Sequence, residues 1–306
     1  MLTKDTRKMT HDDWLQERRK AIGGSDAAAI VGLNPYASAF TVWLDKLGKS
    51  APKEENEAMR LGHDLEEYVA RRFTEASGKK VRRVNAILYN AQYPFAHANV
   101  DRMVCGENAI LECKTTSVLN LHKFRNGEYP TQYYVQCMHY MAVTGAKKAY
   151  LAVLVLGQGF YWFEIPRDQE EINALMDAEE RFWHYVVQQK EPPVSGMDCD
   201  TAALFDLYPQ SNGQAVELFG RAELLKQYLA LKKEIKEKGI EAERIANTIK
   251  QDMQEAERGQ DGAYTVTWRT QTRSTFDAKA FSKENPQIDL APYYKTSTCR
   301  VFAVKE

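Results

Sequence analysis

The segment from Asn99 to Lys114 constrains the fold of this chain more than any other, because its sequence is typical of a β-hairpin. Two strand-like runs, Val100–Val104 and Ala109–Lys114, flank the sequence Cys-Gly-Glu-Asn, which favours a tight turn. A hairpin sets a register between its two strands and therefore decides which side chains face each other.

This register predicts a meeting of two carboxylates. If the turn is centred between residues 106 and 107, Asp101 falls opposite Glu112, and facing residues of an antiparallel pair have Cβ atoms about 5 Å apart. Two carboxylates at that distance repel each other unless a cation lies between them. Lys114 shares a strand face with Glu112, because the two are separated by one residue. A hard divalent cation with an ammonium group beside it can support attack on a phosphodiester; the alternative is a solvated strand edge with paired charges.

The composition is that of a soluble globular protein, with 44% hydrophobic and 27% charged residues. No apolar run approaches about 18 residues and residues 1–8 contain no apolar targeting segment, so we expect a cytoplasmic protein without a membrane span. The net charge of −1 gives no general nucleic-acid signature. A DNA enzyme would have to concentrate basic residues locally, as in Arg18–Lys20 or Lys79–Arg83, although such clusters also occur on solvated faces. The five cysteines form no CxxC pair, which argues against a disulfide framework and a zinc site.

Helix and strand signals follow one another along the first two thirds of the chain and predict an α/β fold with a mixed central sheet flanked by helices. Helical signals cover residues 10–20, 27–31, 41–47, 59–76, 131–144 and 168–189. Strand signals cover residues 81–89, 95–104, 109–115, 149–156 and 160–165. A polar loop is predicted for residues 51–56.

The sequence changes character at residues 191–193, Glu-Pro-Pro, and this change predicts a core of residues 1–195 and a C-terminal appendage of residues 196–306. The predicted elements of the appendage are a loop at 198–212, a helical stretch at 215–257, and a small β pair from strands at 264–270 and 296–304. Apolar residues repeat along the helical stretch with near-heptad spacing, which favours a coiled coil or a hairpin broken at Gly239. The other interpretation is that this stripe packs on its own domain.

Polar residues on two predicted helices can support the carboxylate pair. Glu66 lies early in the 59–76 helix and can add an oxygen ligand, whereas its neighbour Glu67 points about 100° away. Gln136 and Tyr140 lie one turn apart on an otherwise apolar helix and face the same way. A buried glutamine must be hydrogen-bonded, so Gln136 can hold a substrate phosphate, a metal-bound water or its own core. For Glu66, an ordinary surface position is the alternative.

A third group of residues can bind an anion. Ser25 lies at a predicted helix start, where free N–H groups attract phosphate. Arg18 or Arg19, on the preceding helix, can fold back onto the same anion. Helix capping alone would explain Ser25 equally well.

Taken together, these stretches resemble the YqaJ-like viral recombinase nucleases, relatives of phage lambda exonuclease in the PD-(D/E)xK nuclease superfamily. The matching stretches, in the family's order, are residues 18–36 (RRKAIGGSDAAAIVGLNPY), 62–66 (GHDLE), 99–101 (NVD), 111–114 (LECK) and 136–140 (QCMHY). The resemblance covers about residues 10 to 190 and implies a restriction-endonuclease-like core. The stretch departs from the family at Val100, where the hallmark is proline, and at Asn99, where lambda exonuclease has a hydroxyl. Cys199 and Cys299 stand alone, so the iron–sulfur branch of these nucleases is excluded.

The resemblance implies a role for each residue of the metal site. Asp101 and Glu112 would bind Mg²⁺, with Glu66 and the carbonyl of Cys113 completing the ligand shell. Lys114 would orient or deprotonate the attacking water. By the same resemblance, Mn²⁺ can substitute and two ions occupy each site.

The resemblance also implies which residues contact DNA. Gln136 would support the catalytic site, and Tyr140 would complete the QxxxY pattern of RecB-like nucleases. Arg18 and Ser25 would hold the 5′-terminal phosphate. Arg19 is the alternative, because two adjacent arginines leave the register open.

The activity that the resemblance implies is Mg²⁺-dependent 5′-to-3′ exonuclease action on linear double-stranded DNA. The products would be 5′-mononucleotides and a 3′ single-stranded overhang for recombination. The implied partners are DNA ends and a RecT/beta-like single-strand annealing protein, and the implied assembly is a homo-oligomer, such as a trimeric ring, in the bacterial cytoplasm. The alternatives are an endonuclease of the same fold and a non-catalytic DNA-binding protein.

Overall fold

The computed structural model describes residues 2–50 and 56–305. The chain divides into two compact units, Met1–Leu207 and Tyr208–Glu306. Residues 51–55, which make up most of the predicted polar loop, lie outside the described residues. No helix of the described residues is long and apolar enough to cross a membrane.

The first unit contains the helices and strands that the sequence predicts for the core, with a few additions. Its helices are α1 (His11–Arg19), α2 (Gly24–Ile30), α3 (Ala39–Lys46), α4 (Glu57–Ser77), α5 (Thr131–Thr144), α6 (Gln169–Val187) and α7 (Asp198–Leu207). Its strands are β1 (Leu2–Asp5), β2 (Val81–Arg83), β3 (Ala86–Asn90), β4 (Tyr93–Ala98), β5 (Arg102–Val104), β6 (Ala109–Thr116), β7 (Lys148–Val155) and β8 (Gly159–Pro166).

The larger sheet has the strand order β2-β5-β6-β7-β8. Strands β6 and β7 are parallel, and the other neighbours are antiparallel. Two parallel strands that follow each other in the chain need a crossover connection. Here the chain runs from the end of β6 through α5 to the start of β7. The predicted α/β fold with a mixed sheet is confirmed.

The central strands β6 and β7 are buried on both faces. Ile110 and Leu151 contribute to a core with α2, α3, α5 and α6 on one side of the sheet. Leu111 and Tyr150 contribute to a smaller core with α4 on the other side. Because successive side chains of a strand point to opposite faces, the apolar run of β6 fits between two helical layers. The sheet is therefore flanked by helices, as predicted.

Two predicted strands each divide between two sheets. The predicted strand 81–89 becomes β2, which pairs with β5, and β3, which pairs with β1 and β4 in a separate sheet. The predicted strand 95–104 likewise becomes β4 and β5. The alternation of apolar and polar residues along a strand indicates which face of the sheet each side chain lies on. It does not indicate where the chain moves from one sheet to another.

The predicted loop at 198–212 is wrong for residues 198–207, which form α7. Asp200, in the first turn of this helix, is 1% exposed. Its carboxylate accepts hydrogen bonds from the hydroxyl of Ser38 and from the backbone N–H of Ser195, the latter at 2.5 Å. These bonds tie α7 to α3, and the first unit ends at Leu207 rather than at residue 195.

The second unit contains a long helix and a small hairpin. Its elements are α8 (Ala222–Met253), β9 (Arg258–Asp261), β10 (Tyr264–Thr267) and α9 (Ala278–Glu284). Helix α8 runs through Gly239 without a break, and its heptad residues Leu231 and Ile235 are 58% and 64% exposed. The β pair is formed by β9 and β10, which are consecutive and turn at Gly262. The predicted strand at 296–304 is wrong, because those residues form no strand.

A buried ion pair joins α2 to α3 within the first unit. The ammonium of Lys46, whose side chain is 1% exposed, lies 2.6 Å from Oδ2 of Asp26 and donates to the carbonyl of Arg18 at 3.1 Å. Asp26 also accepts from the backbone N–H of Gly23 at 2.9 Å. Burial acts to raise the pKa of Asp26, but the charges of Lys46 and Arg18 outweigh it and lower this pKa to about 2.

We predict that Lys46→Met destabilises the protein by about 3–5 kcal/mol, because it leaves the Asp26 carboxylate buried and unpaired. The difference should shrink as the pH falls from about 4 towards 2, since protonation of Asp26 removes the charge that wild type stabilises. Urea unfolding, monitored by circular dichroism at each pH, measures the difference in the free energy of unfolding between wild type and Lys46→Met. The control is Lys238→Met, which breaks an exposed pair with Glu241 and should cost no more than about 1 kcal/mol. Equal effects of the two substitutions would contradict the prediction.

Candidate active site

The hairpin of β5 and β6 has the predicted register and brings the two carboxylate residues together. Arg102 faces Leu111 and Met103 faces Ile110, which are the pairs expected for a turn centred between residues 106 and 107. The ladder ends at Arg102, so Asp101 lies in a bend one residue before β5. From there, its Oδ2 accepts a hydrogen bond from the backbone N–H of Cys113 at 2.7 Å. The Asp101 carboxylate is thus hydrogen-bonded to Cys113, the residue that follows Glu112.

The Glu112 carboxylate is buried, with 3% of the residue exposed. Its Oε1 accepts from the side-chain amide of Gln136 at 2.6 Å and lies 2.6 Å from the ammonium of Lys114. Its Oε2 is buried and has no hydrogen-bond partner among residues 2–50 and 56–305. A buried oxygen without a donor is costly, and a bound cation would satisfy it. Oxygen is also the ligand type that Mg²⁺ prefers, so the donor set fits a hard divalent cation.

The charges of the site shift its pKa values in consistent directions. Burial raises the pKa of Asp101 well above its usual range, and repulsion from Glu112 and Glu66 adds to this. Burial is also the main cause of the raised pKa of Glu112. Burial acts to lower the pKa of Lys114, but the neighbouring carboxylates outweigh it and raise this pKa. Without a cation, the two carboxyl groups and Lys114 therefore each hold a proton more tightly than they would in water.

Glu66 lies on α4 and is hydrogen-bonded to Arg102, which follows Asp101 and which the sequence analysis missed. Its carboxylate accepts a hydrogen bond from the guanidinium of Arg102, which also donates to Glu67 at 3.0 Å. Arg102 is 3% exposed, and its position directly after Asp101 in a strand was the signal that could have identified it. Among the residues that the structure describes, no three acidic, histidine or cysteine side chains are grouped closely enough to hold a metal ion. The four-ligand shell that the resemblance implies thus remains a prediction.

Gln136 and Tyr140 lie on the buried helix α5 and join the site through hydrogen bonds. The amide of Gln136 donates to Oε1 of Glu112 and, at 3.1 Å, to the hydroxyl of Tyr140. The sequence left three partners open for Gln136: a phosphate, a water or its own surroundings. In the structure, its amide donates to a protein group, the carboxylate of Glu112. The side-chain amide of Gln136 therefore links the carboxylate of Glu112 to the hydroxyl of Tyr140.

The two adjacent arginines point to different partners. Arg18 donates a hydrogen bond to the hydroxyl of Ser25 at 2.8 Å and lies over the ring of Trp14. Arg19 instead lies 3.8 Å from the carboxylate of Asp45. Ser25 is exposed, so the guanidinium of Arg18 and the hydroxyl of Ser25 form a pair of donors at the surface. This geometry selects Arg18 over Arg19 as the partner of Ser25.

Comparisons with known proteins identify the family and support the fold of this chain. The family model of the YqaJ-like viral recombinase domain matches residues 13–147. The uncharacterized protein YqaJ of Bacillus subtilis strain 168 is 41% identical over 305 residues, covering 98% of this chain and 95% of that protein. The crystal structure of an alkaline exonuclease, LHK-Exo from Laribacter hongkongensis, is similar with a TM-score of 0.51 and 19% identity, and its complex with dAMP with 0.50 and 18%. Both cover 58% of this chain and 94% of the other, and at these identities they support the fold.

We predict that Asp101→Asn stabilises the cation-free protein at pH 8 by roughly 1 kcal/mol. A carboxyl group whose pKa is raised by folding binds its proton more tightly in the folded state, so wild type loses stability as the pH rises above the usual carboxyl range. The amide is neutral at every pH and keeps an oxygen that can accept from Cys113. Thermal unfolding in EDTA measures the gain.

The same melts with added Mg²⁺ complete this test. Wild type should gain stability from the cation and Asp101→Asn should gain less, because a charged ligand is lost. Asp177→Asn, at an exposed position on α6, is the matched control and should behave as wild type. A destabilised Asp101→Asn protein with an unchanged response to Mg²⁺ would contradict the assignment.

Proposed function

Because this chain belongs to the YqaJ-like viral recombinase family, we propose that it is a metal-dependent exonuclease that degrades linear double-stranded DNA. The single observation that carries the proposal is the Glu112 carboxylate. One oxygen accepts from Gln136 and contacts Lys114. The other is buried without a donor in the described part of the chain, beside the carboxyl of Asp101, whose pKa is raised. A carboxylate held in this way is poorly suited to a structural role and well suited to binding a cation.

The residues that would hold the cation are Asp101 and Glu112 through their carboxylates, Cys113 through its carbonyl, and Glu66, whose carboxylate accepts from Arg102 in this structure. The assigned cation is Mg²⁺, with Mn²⁺ as a substitute and two ions per site. A bound divalent cation lowers the pKa of a water and stabilises negative charge on the phosphate.

The side chains of the site prepare the substrate and the water. Lys114 orients or deprotonates the attacking water, because its ammonium lies 2.6 Å from Oε1 of Glu112 and therefore stands beside the assigned cation site. Gln136 keeps Glu112 in place, and the hydroxyl of Tyr140 supports Gln136 by accepting a second hydrogen bond from the same amide nitrogen. In-line attack of the water on phosphorus would form one P–O bond and break the bond from phosphorus to the 3′ oxygen of the terminal nucleotide. The water loses a proton and the leaving 3′ oxygen takes one up, so the released nucleotide ends in a 3′-hydroxyl and the remaining strand carries a new 5′-phosphate.

The pair of Arg18 and Ser25 gives the reaction its direction. A guanidinium and a hydroxyl at the surface suit the dianionic phosphate of a 5′ end better than an internal phosphodiester. Binding of each new 5′ end would move the enzyme 5′ to 3′, releasing 5′-mononucleotides and leaving a 3′ single-stranded overhang. The complex of the similar alkaline exonuclease with dAMP supports a nucleoside monophosphate as product.

The overhang also defines the biological setting that we propose. A 3′ single strand is the substrate of a single-strand annealing protein of the RecT/beta type, and the family's recombinase name supports this pairing. We place the reaction in the cytoplasm of the bacterial host cell, with the enzyme as a homo-oligomer such as a trimeric ring around DNA.

We predict that the protein with Mg²⁺ degrades linear duplex DNA carrying 5′-phosphates, acts more slowly on 5′-hydroxyl duplex, and leaves covalently closed circles intact. Lys114→Ala should lower the rate by about 100-fold or more while the affinity for labelled duplex stays close to that of wild type. A gel of the three substrates and an anisotropy titration measure these quantities. Glu112→Ala serves as the inactive control.

Each outcome of this assay discriminates between functions. Loss of the circles would make the protein an endonuclease of the same fold. Binding of duplex without cleavage by any form would make it a DNA-binding protein. Undiminished turnover by Lys114→Ala would remove Lys114 from the mechanism.

We predict that Arg18→Ala lowers the ratio of rates on 5′-phosphate and 5′-hydroxyl ends by about tenfold, because a charge-assisted hydrogen bond to the phosphate is lost. Arg19→Ala is the matched control: it removes the same side chain from the next residue, which pairs with Asp45, and should leave the ratio near that of wild type. Initial rates on the two duplexes provide the ratio. A larger effect at Arg19 would exchange the two assignments.

A further inference from the structure

Gly24, the first residue of α2, lies in contact with the ring of Tyr140. A Cβ atom built on Gly24 would lie 2.4 Å from Cε1 of this ring, 2.8 Å from Cζ and 2.9 Å from Cδ1. Carbon atoms that are not bonded keep about 3.5 Å or more apart, so no larger residue fits without movement. Gly24 has no positive φ, and the constraint on this position is therefore space and not backbone conformation.

The Tyr140 ring is held on its other sides. Its hydroxyl accepts from Gln136, and only 5% of the residue is exposed. The neighbouring His139 is fully buried and bonds the carboxylate of Glu179 at 2.8 Å and the carbonyl of His97 at 2.8 Å. These bonds hold this part of α5 against α6 and β4. Tyr140 can therefore not move away from Gly24 without disturbing Gln136 and, through it, Glu112.

Small residues form the face of α2 that meets α5. Gly24, Ala27 and Ala28 are three and four residues apart, which places them on one side of the helix, and the two alanines are almost completely buried. Small side chains let two helices approach closely, and here they bring the start of α2 against α5. Ser25 is exposed next to Gly24 and bonds Arg18.

We infer that Gly24 is a positioning residue for end selection: its contact with Tyr140 sets the distance between the Arg18–Ser25 pair and the Glu112 carboxylate. The inference rests on the proposed function, in which Arg18 and Ser25 hold the terminal phosphate. The linkage runs from Glu112 through Gln136 and Tyr140 to Gly24 and the adjacent Ser25. A methyl group at position 24 does not fit beside this ring, so the start of α2 and Tyr140 have to move apart, which changes the position of the Arg18–Ser25 pair relative to Glu112.

The test is the rate ratio for 5′-phosphate and 5′-hydroxyl ends in Gly24→Ala. The ratio should fall by about tenfold or more, because a displacement of about 1 Å between binding and reacting groups is costly, while the rate on hydroxyl ends at saturating DNA changes far less. Gly239→Ala is the matched control, since a Cβ atom at that helical glycine meets nothing within 4 Å. It should leave the ratio unchanged.

Substitutions of Tyr140 test the same contact without adding bulk at position 24. Tyr140→Phe keeps the ring and should keep the preference for phosphate, even with a lower rate, whereas Tyr140→Leu removes the ring and should lose the preference. Introducing Gly24→Ala into Tyr140→Leu should then change the ratio by less than about twofold, because the two substitutions act through one contact. If Gly24→Ala does not fold, the comparison of Tyr140→Phe with Tyr140→Leu still tests whether the Tyr140 ring is needed for the preference for phosphate.

The outcomes separate this inference from the proposed function. A wild-type protein that cleaves both kinds of end equally would overturn the phosphate-binding role of Arg18 and Ser25. A wild-type preference that survives in both Gly24→Ala and Tyr140→Leu would overturn the inference alone. Additive effects of the two substitutions would also overturn it, since independent effects exclude a shared contact.

Discussion

The hydrogen bond from Gln136 to Glu112 is the interaction on which the arrangement of the site depends. It joins the buried crossover helix α5 to the buried strand β6, and it keeps an acidic side chain inside the protein. A buried carboxylate is costly unless it is paired, and Lys114 and Gln136 satisfy one of its oxygens. The other oxygen is buried and has no donor in the described residues, and the proposed cation site rests on this observation.

The fold creates this environment because β6 and β7 are parallel and buried on both faces. The crossover between them places α5 over one face of the sheet, and α4 covers the other. Glu112 of β6 and Gln136 of α5 therefore meet where the apolar run of β6 ends, and Asp101 reaches the same place from the bend before β5. The raised pKa values of the two carboxyl groups follow mainly from their burial in this environment.

The elements closest to the chemistry were predictable because their signals are local. The hairpin turn set the register of β5 and β6, and the ends of α5 were predicted correctly from its periodicity and from Gly145. The division of strand 81–89 between two sheets, the helix at 198–207 and the absence of a strand at 296–304 were not predicted. In the first two cases, the deciding partner, β1 for β3 and Ser38 for Asp200, lies far away in sequence.

The sequence alone determined which residues share a strand face or a helix face, because side-chain direction follows the period of the element. The sequence therefore predicted that Asp101 lies near Glu112 and that Gln136 and Tyr140 lie on the same side of one helix. Only the tertiary structure decided what each face meets: Arg18 rather than Arg19 on Ser25, and Arg102 on Glu66. The physical reason is that a long side chain chooses among partners on other elements, and those distances are set by packing of the whole unit.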